Sequence, residues 1–144
     1  MTDATQGWPR QQRPDPMHRI DGAFFWEACE RGELVAQECN GCGALWHPPR
    51  PICPGCHSLE RSEAQLSGRG IVLSWGRSVH PRAFFFEESP ISVLVELEEG
   101  VRLVSTLEGV AIDQVAAGMP VMVDFVRTSG GKAIHVFRPV GAGR

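Results

Sequence analysis

Four of the five cysteines form two closely spaced pairs, Cys39-Asn-Gly-Cys42 and Cys53-Pro-Gly-Cys56. This C-x2-C-x10-C-x2-C spacing constrains the fold most, because each pair can curl its backbone until both thiolates face one ion. Two such pairs supply the tetrahedral sulfur cage that Zn2+ prefers, with metal–sulfur bonds of about 2.3 Å. With all four positions filled, we predict a structural zinc bound by these cysteines and no open coordination site for catalysis.

The same cysteines admit two other interpretations. Two disulfide bonds would need an oxidising compartment, but the first 20 residues lack the apolar segment of a secretory signal, which favours a reducing, cytoplasmic location. A four-thiolate cage also holds iron, so the spacing leaves zinc and iron open. His47 and His57 lie near the pairs and could substitute as ligands, although four cysteines suffice. Cys29 lies outside the pattern and is expected to be a small buried residue.

Composition restricts the class of protein. The chain has 144 residues, of which 42% are hydrophobic, and a formal net charge of −3. This is the composition of a soluble globular protein of one ordinary domain or two small ones. No apolar run is long enough to span a bilayer, so no membrane partner is expected. The negative charge also lacks the basic field of a general nucleic-acid binder.

Changes in composition divide the chain into four parts. Residues 1–19 are rich in proline and polar residues, and we expect a disordered tail. Residues 20–33 are predicted to contain a short helix, residues 34–66 the zinc ribbon, and residues 67–144 a β-barrel.

The predicted helix is amphipathic. Asp21 is expected to cap it, and it would run to about Arg31 with Gly32 at its carboxyl end. Two pairs four residues apart would form its apolar face, Phe24 with Ala28 and Phe25 with Cys29. The helix would present a second face to solvent or to another module, made of Trp26, Glu27 and Glu30.

Five runs rich in Val, Ile, Leu and Phe follow the cysteine-rich segment. They are Ile71–Val79, Ile91–Leu97, Val101–Leu107, Met119–Val126 and Ala133–Arg138. Turn residues at 99–100 and 129–131 separate strands, and a one-turn helix is predicted over Asp113–Ala117. Five strands with a small helix between the third and fourth are typical of an OB-fold barrel. The predicted fold is therefore mainly β, with an amino-terminal helix, a zinc ribbon and a five-stranded OB barrel.

Motifs of self-sufficient enzymes do not occur in the sequence. There is no G-x-S-x-G elbow, phosphate-binding loop, H-E-x-x-H or dinucleotide fingerprint. His80 and Asp113 could be imagined as an acid–base pair, but nothing in the sequence brings them together. We therefore predict no catalytic residue in this chain.

The loop between the first two barrel strands carries Phe84, Phe85 and Phe86 in succession. These rings could fold into the core, or they could form a surface for a partner or ligand. OB-folds bind ligands through this first loop, so Phe84, Phe85 and Phe86 are candidate interface residues.

The combination of motifs resembles the domain-of-unknown-function 35 family. The matching stretches, between about Ala23 and Pro139, are Phe25-Trp26-Glu27-Ala28, the Cys39/Cys42 pair, His47-Pro-Pro-Arg50, Cys53-Pro-Gly-Cys56, Ser67-Gly-Arg-Gly70, Val95-Glu-Leu-Glu-Glu-Gly-Val101 and Gly118-Met-Pro-Val121. The resemblance implies a rubredoxin-like zinc ribbon preceded by helix and followed by an OB barrel.

The resemblance also implies a function. Members of this family are commonly small subunits of thiolase-fold enzymes in acyl-CoA metabolism, where they support the catalytic chain and help to form the CoA site. Some serve aldolases acting on steroid side chains, and others pair with hydratase domains or acyltransferases. By analogy, Arg50, Arg69 and Arg77 are candidates for binding CoA, and Phe25 and Trp26 for contacting the partner.

The prediction is thus a non-catalytic, cytoplasmic accessory subunit in a heteromeric complex with a thiolase-like lyase or transferase. The alternative is a nucleic-acid-binding module, because zinc ribbons and OB-folds both occur in such proteins. A third possibility, a stand-alone acyl-CoA carrier or weak hydrolase, has no supporting motif.

Overall fold

The structure is a computed structural model that describes residues 13–17, 20–81, 83, 86 and 88–141. In chain order its elements are a 3-10 turn (Ile20–Gly22), helix α1 (Ala23–Glu30), strands β1 (Val35–Cys39), β2 (Leu45–Trp46), β3 (Arg61–Gln65), β4 (Arg69–Arg77), β5 (Ile91–Leu97) and β6 (Arg102–Leu107), a 3-10 turn (Ile112–Gln114), and strands β7 (Pro120–Arg127) and β8 (Ala133–Pro139). Within these described ranges, no helix is both long and apolar enough to cross a membrane.

The last five strands close into a barrel in the order β4-β5-β6-β8-β7, with β7 paired back to β4. All neighbouring pairs are antiparallel except β6 and β8, which run parallel where Leu107 lies opposite Phe137. This order is the OB-fold arrangement, so the predicted mainly β fold with a closed five-stranded barrel is confirmed.

The limits of β5 are those predicted, and the limits of the other barrel strands differ by at most two residues. The first barrel strand begins at Arg69 and ends at Arg77, two residues earlier than expected at both ends. The predicted one-turn helix is a 3-10 turn over Ile112–Gln114. Such limits depend on which backbone groups find a hydrogen-bond partner, which hydrophobic patterning does not specify.

The cysteine-rich segment contains a small sheet of three strands that no periodic pattern in the sequence indicates. Its strand order is β2-β1-β3, and Gln37 of β1 lies opposite Trp46 on one side and Glu63 on the other. Strand β3 is mostly exposed and has no alternating apolar pattern, and its backbone pairs with β1 along its whole length. A strand of this kind gives no periodic signal in the sequence.

Helix α1 ends as predicted and begins differently. The residue before its first turn is Gly22 and makes no side-chain capping bond, so the expectation that Asp21 caps the helix is wrong. Asp21 lies instead in the preceding 3-10 turn. At the other end Gly32 has φ +73°, and the amides of Gly32 and Glu33 donate to the carbonyls of Cys29 and Ala28, both at 3.0 Å. These two bonds form a Schellman motif.

One hydrophobic core joins the helix, the ribbon and the barrel. Phe25, Ala28 and Cys29 of α1 are buried in the same cluster as barrel residues such as Val72 and Val95. Cys29 is therefore a small buried residue, as predicted, and burial raises the pKa of its thiol to about 12. A second, smaller cluster contains Cys39, Trp46 and Cys53 of the ribbon.

The expected tail lies partly outside the described residues, which begin at Arg13 and omit residues 18–19. Residues 13–17 lie along the barrel, while disorder of the tail stays a prediction. The amide of Ser129 donates to the carbonyl of Arg13 at 3.0 Å, and the Thr128 hydroxyl donates to the Asp15 carboxylate. One backbone bond and polar side-chain contacts, rather than an apolar pattern, hold this segment.

Candidate metal centre and neighbouring surfaces

The two cysteine pairs meet at the end of the small sheet. Their four sulfur atoms all lie within 4.8 Å of one another. Cys39 Sγ is 3.5 Å from Cys56 Sγ, and Cys42 Sγ is 3.7 Å from Cys53 Sγ. Four sulfurs around a tetrahedral zinc with bonds of about 2.3 Å would be about 3.8 Å apart. The donor set and its spacing therefore fit a single zinc ion.

The two cysteine turns have the same backbone geometry. In the first turn the amide of Gly43 donates to the Cys39 carbonyl at 2.9 Å, and in the second the amide of His57 donates to the Cys53 carbonyl at 3.0 Å. Gly43 has φ +76° and His57 has φ +62°, the latter being the one non-glycine residue with positive φ in the described part of the chain. The turns are thus near copies, and His57 occupies a position that favours glycine.

Backbone amides prepare the first sulfur of each pair for a metal. The amides of Gly41 and Cys42 point at Cys39 Sγ at 3.3 and 3.4 Å, and those of Gly55 and Cys56 point at Cys53 Sγ at 3.3 and 3.5 Å. The Cys42 amide lowers the pKa of the Cys39 thiol to about 6. Because a thiolate is the species that binds a metal, this geometry favours the ligand form.

A groove lies where helix, ribbon and barrel meet. Its volume is about 660 Å3, and its walls include Phe25 and Trp26 of α1, His47 and Pro48 of the ribbon, and His135 of β8. The indole of Trp26 stacks on the imidazole of His135, whose Nδ1 lies 2.7 Å from Ser105 Oγ. Aromatic and histidine rings thus form much of the lining of this groove.

Both histidines in this groove are held in the neutral form. Burial lowers the pKa of His47 to about 4. Burial, and then the neighbouring His47, lower the pKa of His135 to about 4. His47 is not among the four clustered sulfur ligands, and its ring lies 5.1 Å from that of Phe25. It therefore joins the ribbon to the helix.

The three arginines predicted to bind CoA differ in their surroundings. Arg69 lies 3.8 Å from Glu98, and Arg77 lies 2.7 Å from Glu88, so each faces a carboxylate. Arg50 is exposed, and its guanidinium forms no ion pair within the described residues. Its backbone amide donates to buried Gln37 at 2.7 Å, which positions the residue beside the groove. The structure does not bring the three arginines into one ion-pair network.

The residues predicted to contact a partner also differ in their surroundings. Phe25 is only 3% exposed because its ring packs in the core, and its contact with a partner stays a prediction. Trp26 is half-buried against His135, and Phe86 is half-buried beneath Arg13. Phe84 and Phe85 lie outside the described residues.

Two residues that join distant parts of the molecule had no recognisable signal in the sequence. His135 faces the groove, and Arg13 reaches Glu108. An isolated histidine within a strand and an isolated arginine resemble ordinary surface residues. Glu30, expected to face solvent or another module, binds the barrel.

Two family models match the chain. Residues 26–60 match the model described as ChsH2, rubredoxin-like zinc ribbon domain, and residues 63–126 match ChsH2, C-terminal OB-fold domain. The first match contains all four clustered cysteines. The chain therefore has a rubredoxin-like zinc ribbon whose cysteines are close enough to hold a zinc ion.

Several curated proteins are similar to this chain over most of its length. A probable enoyl-CoA hydratase alpha subunit of Thermomonospora curvata is 40% identical over 138 residues, which is 96% of this chain and 43% of the relative. A 3-oxo-4,17-pregnadiene-20-carboxyl-CoA hydratase alpha subunit of Mycobacterium tuberculosis is 36% identical over 82% of this chain and 39% of the relative. This chain thus spans about two fifths of each hydratase subunit. A DUF35 domain-containing scaffold protein of Methanocaldococcus jannaschii is 34% identical over 68% of this chain and 71% of the relative.

Solved structures agree with this assignment. A chain of the Ltp2-ChsH2(DUF35) aldolase superposes with a TM-score of 0.82 and 40% identity, over 87% of this chain and 98% of the other. A DUF35-family protein of unknown function from Sulfolobus solfataricus has a TM-score of 0.58 and 13% identity, over 83% and 85% of the chains, and shares the fold. The protein therefore belongs to the ChsH2-type DUF35 family, which joins a rubredoxin-like zinc ribbon to a carboxyl-terminal OB-fold.

Proposed function

We propose that this chain is the non-catalytic subunit of a heteromeric enzyme that acts on an acyl-CoA, with a thiolase-like chain as its partner. The observation that carries the proposal is the likeness, at 40% identity and over 98% of the other chain, to a chain of the Ltp2-ChsH2(DUF35) aldolase. The hydratase relatives, one of them named for a steroid-derived CoA ester, support an acyl-CoA substrate. The partner would supply the nucleophile and the acid–base groups.

In this proposal the zinc is structural. Cys39, Cys42, Cys53 and Cys56 would bind it, and four sulfur ligands would leave no position for substrate. The bound ion would fix the two cysteine turns and hence the end of the small sheet. Since His47 follows β2 directly, a fixed ribbon also holds one wall of the groove.

The groove between helix, ribbon and barrel is the proposed contact surface for the thiolase-like chain. Val104 on β6 lines it and is 67% exposed, and Met17 and the neighbouring Ile20 are also exposed. Exposed apolar side chains around a half-buried tryptophan are typical of protein interfaces. Burying them against a partner would remove apolar area from water.

Arg50 is the arginine best suited to an anionic part of the shared substrate. Because no described carboxylate pairs with it, its charge is available to a phosphate. Arg69 and Arg77 would first have to leave Glu98 and Glu88. We therefore assign CoA binding to Arg50, which lies between Pro49 and Pro51 of the groove wall.

The charges of the barrel argue against the nucleic-acid alternative. A single-strand-binding groove needs unpaired basic residues near stacking aromatic rings. The cleft beside Phe86 contains Glu88 and Glu108, and its arginines Arg13 and Arg77 already face these carboxylates. A polyanion would therefore meet paired charges.

Co-purification tests the proposal. The tagged full chain, expressed in its native cell, should recover a thiolase-family chain in near-equal amount, measured by mass spectrometry. Val104→Glu should abolish recovery, because it places a charge in the proposed contact surface. Val140→Glu is the matched control, since Val140 is 60% exposed and lies outside the groove. Zinc content shows that each variant is folded.

Kinetics of the recovered complex test the role of Arg50. Arg50→Ala should raise the KM for the acyl-CoA about tenfold with little change in kcat, because it removes ground-state binding of an anion. Arg102→Ala, which removes a barrel arginine paired with Glu96, should leave both constants unchanged. Recovery of no thiolase-family chain would contradict the proposed function, and an unchanged KM would contradict only the assignment of Arg50.

A further inference from the structure

Residues 13–15 lie in a cleft between Thr106 and Glu108, at the end of β6, and the β7–β8 turn at residues 128–132. Next to Arg13 a cavity of about 510 Å3 remains open, and its lining includes Arg13, Phe86, Leu107 and Glu108. In OB-folds this region, between the first loop and the last turn, is where extended ligands bind. Here part of the lining comes from the amino-terminal segment of the chain itself.

Arg13 is held in the cleft by three kinds of contact. Its guanidinium pairs with Glu108, donates to Thr106 Oγ1 at 3.2 Å, and has Cζ 5.3 Å from the centroid of the Phe86 ring. The side chain of Arg13 is 13% exposed, which is low for an arginine outside any helix or strand. A charge-assisted bond, a hydroxyl and an aromatic face together recognise a guanidinium specifically.

The cleft is built to receive this guanidinium. The other oxygen of Glu108 accepts a bond at 3.0 Å from Arg138, whose Nε donates to Asp124 at 2.9 Å. Glu108 is therefore held in place by the barrel and offers its second oxygen to Arg13. A carboxylate oriented in advance loses little side-chain entropy when its partner binds.

The β7–β8 turn recognises the rest of the segment. The amide and the hydroxyl of Ser129 both donate to the Arg13 carbonyl, at 3.0 and 3.2 Å, and the Thr128 hydroxyl donates to the Asp15 carboxylate. Gly130 leaves room for that carboxylate, because a Cβ there would lie 2.7 Å from Asp15 Cγ. Pro14 and Pro16 restrict φ on either side of Asp15 and favour an extended chain.

We propose that this cleft is a peptide-recognition site for an extended Arg-Pro-Asp segment, and that the chain's own residues 13–15 fill it. The covalent connection places the segment at a millimolar effective concentration, so it excludes a competing peptide until it is released. When the segment leaves, the cleft accepts the same kind of arginine-bearing peptide from another molecule. This proposal does not depend on the function proposed above.

Peptide binding to the full-length, zinc-loaded protein tests the proposal. The probe is a synthetic peptide with the sequence of residues 8–19, measured by calorimetry. The double variant Arg13→Ala/Asp15→Ala should bind the peptide at least about tenfold more tightly than the wild type, because only the variant has a vacant cleft. Adding Glu108→Gln to the double variant should weaken binding by about tenfold. The control Arg102→Ala, with an unrelated ion pair to Glu96, should behave as the wild type.

A second variant releases the segment without changing its sequence. Gly130→Ala removes the space for the Asp15 carboxylate and should speed hydrogen exchange of the Ser129 amide, which the Arg13 carbonyl protects. The proposal is overturned if the wild type and the double variant bind the peptide equally, if neither binds, or if binding is independent of Glu108. If the double variant does not fold, unchanged exchange at Ser129 in Gly130→Ala overturns it.

Discussion

The indole of Trp26 lies parallel to the imidazole of His135, with ring centroids 5.6 Å apart and 13° between the planes. Trp26 belongs to helix α1 and His135 to the last barrel strand, so this contact joins the two elements. The Phe25 ring meets the same imidazole edge-on at 5.5 Å. The neutral ring is therefore enclosed by aromatic surface and by Ser105.

This enclosure predicts a pH dependence. The pKa of His135 is lowered from 6.5 to about 4, so the unfolded chain binds more protons between these values. The resulting contribution to stability is complete above the unfolded pKa and is lost as the pH falls through the folded pKa. Between pH 7 and pH 5 the wild type should lose about 2 kcal/mol more unfolding free energy than His135→Gln, measured by urea denaturation.

An exposed position outside the groove provides the control for that measurement. Val140→Gln should keep the pH dependence of the wild type, because it changes no titratable group. Protonation of the zinc ligands affects all three proteins equally. Identical pH dependence in the wild type and His135→Gln would contradict the buried neutral imidazole.

The fifth cysteine gives a matched control for the metal centre. Cys53→Ser removes a fully buried sulfur of the four-cysteine cluster and should greatly reduce the zinc content measured by mass spectrometry. Cys29→Ala removes an equally buried thiol outside the cluster and should keep the zinc. Trp46, packed against Cys39 and Cys53, should change its fluorescence in the first variant and not in the second. Equal loss of zinc in both variants would refute the assignment.

Alanine substitution of two glycines in strand β4 is expected to have different effects on the unfolding free energy. A Cβ at Gly70 would lie 2.5 Å from the Glu96 carbonyl oxygen and 2.7 Å from Val95 Cγ1, whereas one at Gly76 would meet nothing within 4 Å. Gly70→Ala should therefore lower the unfolding free energy by about 1–3 kcal/mol, because it forces β4 away from β5. Gly76→Ala should be neutral or stabilising by about 0.5 kcal/mol. Thermal unfolding that ranks them the other way would contradict this close approach.

Glu30 anchors the end of helix α1 to the barrel. One oxygen accepts a bond at 2.7 Å from the amide of Ala133, and the other accepts a bond at 2.6 Å from Arg127. The Ala133 amide, then the Arg127 side chain, lower the pKa of Glu30. Glu30→Ala should lower the urea midpoint and speed exchange of the Ala133 amide.

Glu27, three residues earlier on the helix, is exposed and serves as the control. Glu27→Ala should leave both the urea midpoint and the exchange rate unchanged. Because the lowered pKa belongs to the folded state, the advantage of the wild type over Glu30→Ala should shrink as the pH falls through that pKa. An advantage that grew in acid would exclude this role for Glu30.

Local patterns in the sequence were sufficient to predict the cysteine cluster and the barrel strands. The spacing of Cys39, Cys42, Cys53 and Cys56 sets which sulfurs can share an ion, because each pair is closed by a short turn. Runs rich in Val, Ile, Leu and Phe, separated by turn residues, predicted the barrel strands, and in β5 every second side chain is buried. The small ribbon sheet was not predicted because β3 is mostly exposed and contains no such run.

The sequence by itself therefore determined the metal-binding pattern, the five barrel strands and the family, because these depend on neighbours a few residues apart. Only the tertiary structure decided which distant residues meet. Glu30 and Ala133 are 103 residues apart in the chain, and Arg13 and Glu108 are 95 apart. Such contacts form only when the helix, the barrel and the amino-terminal segment pack together, and no periodicity in the sequence records that packing.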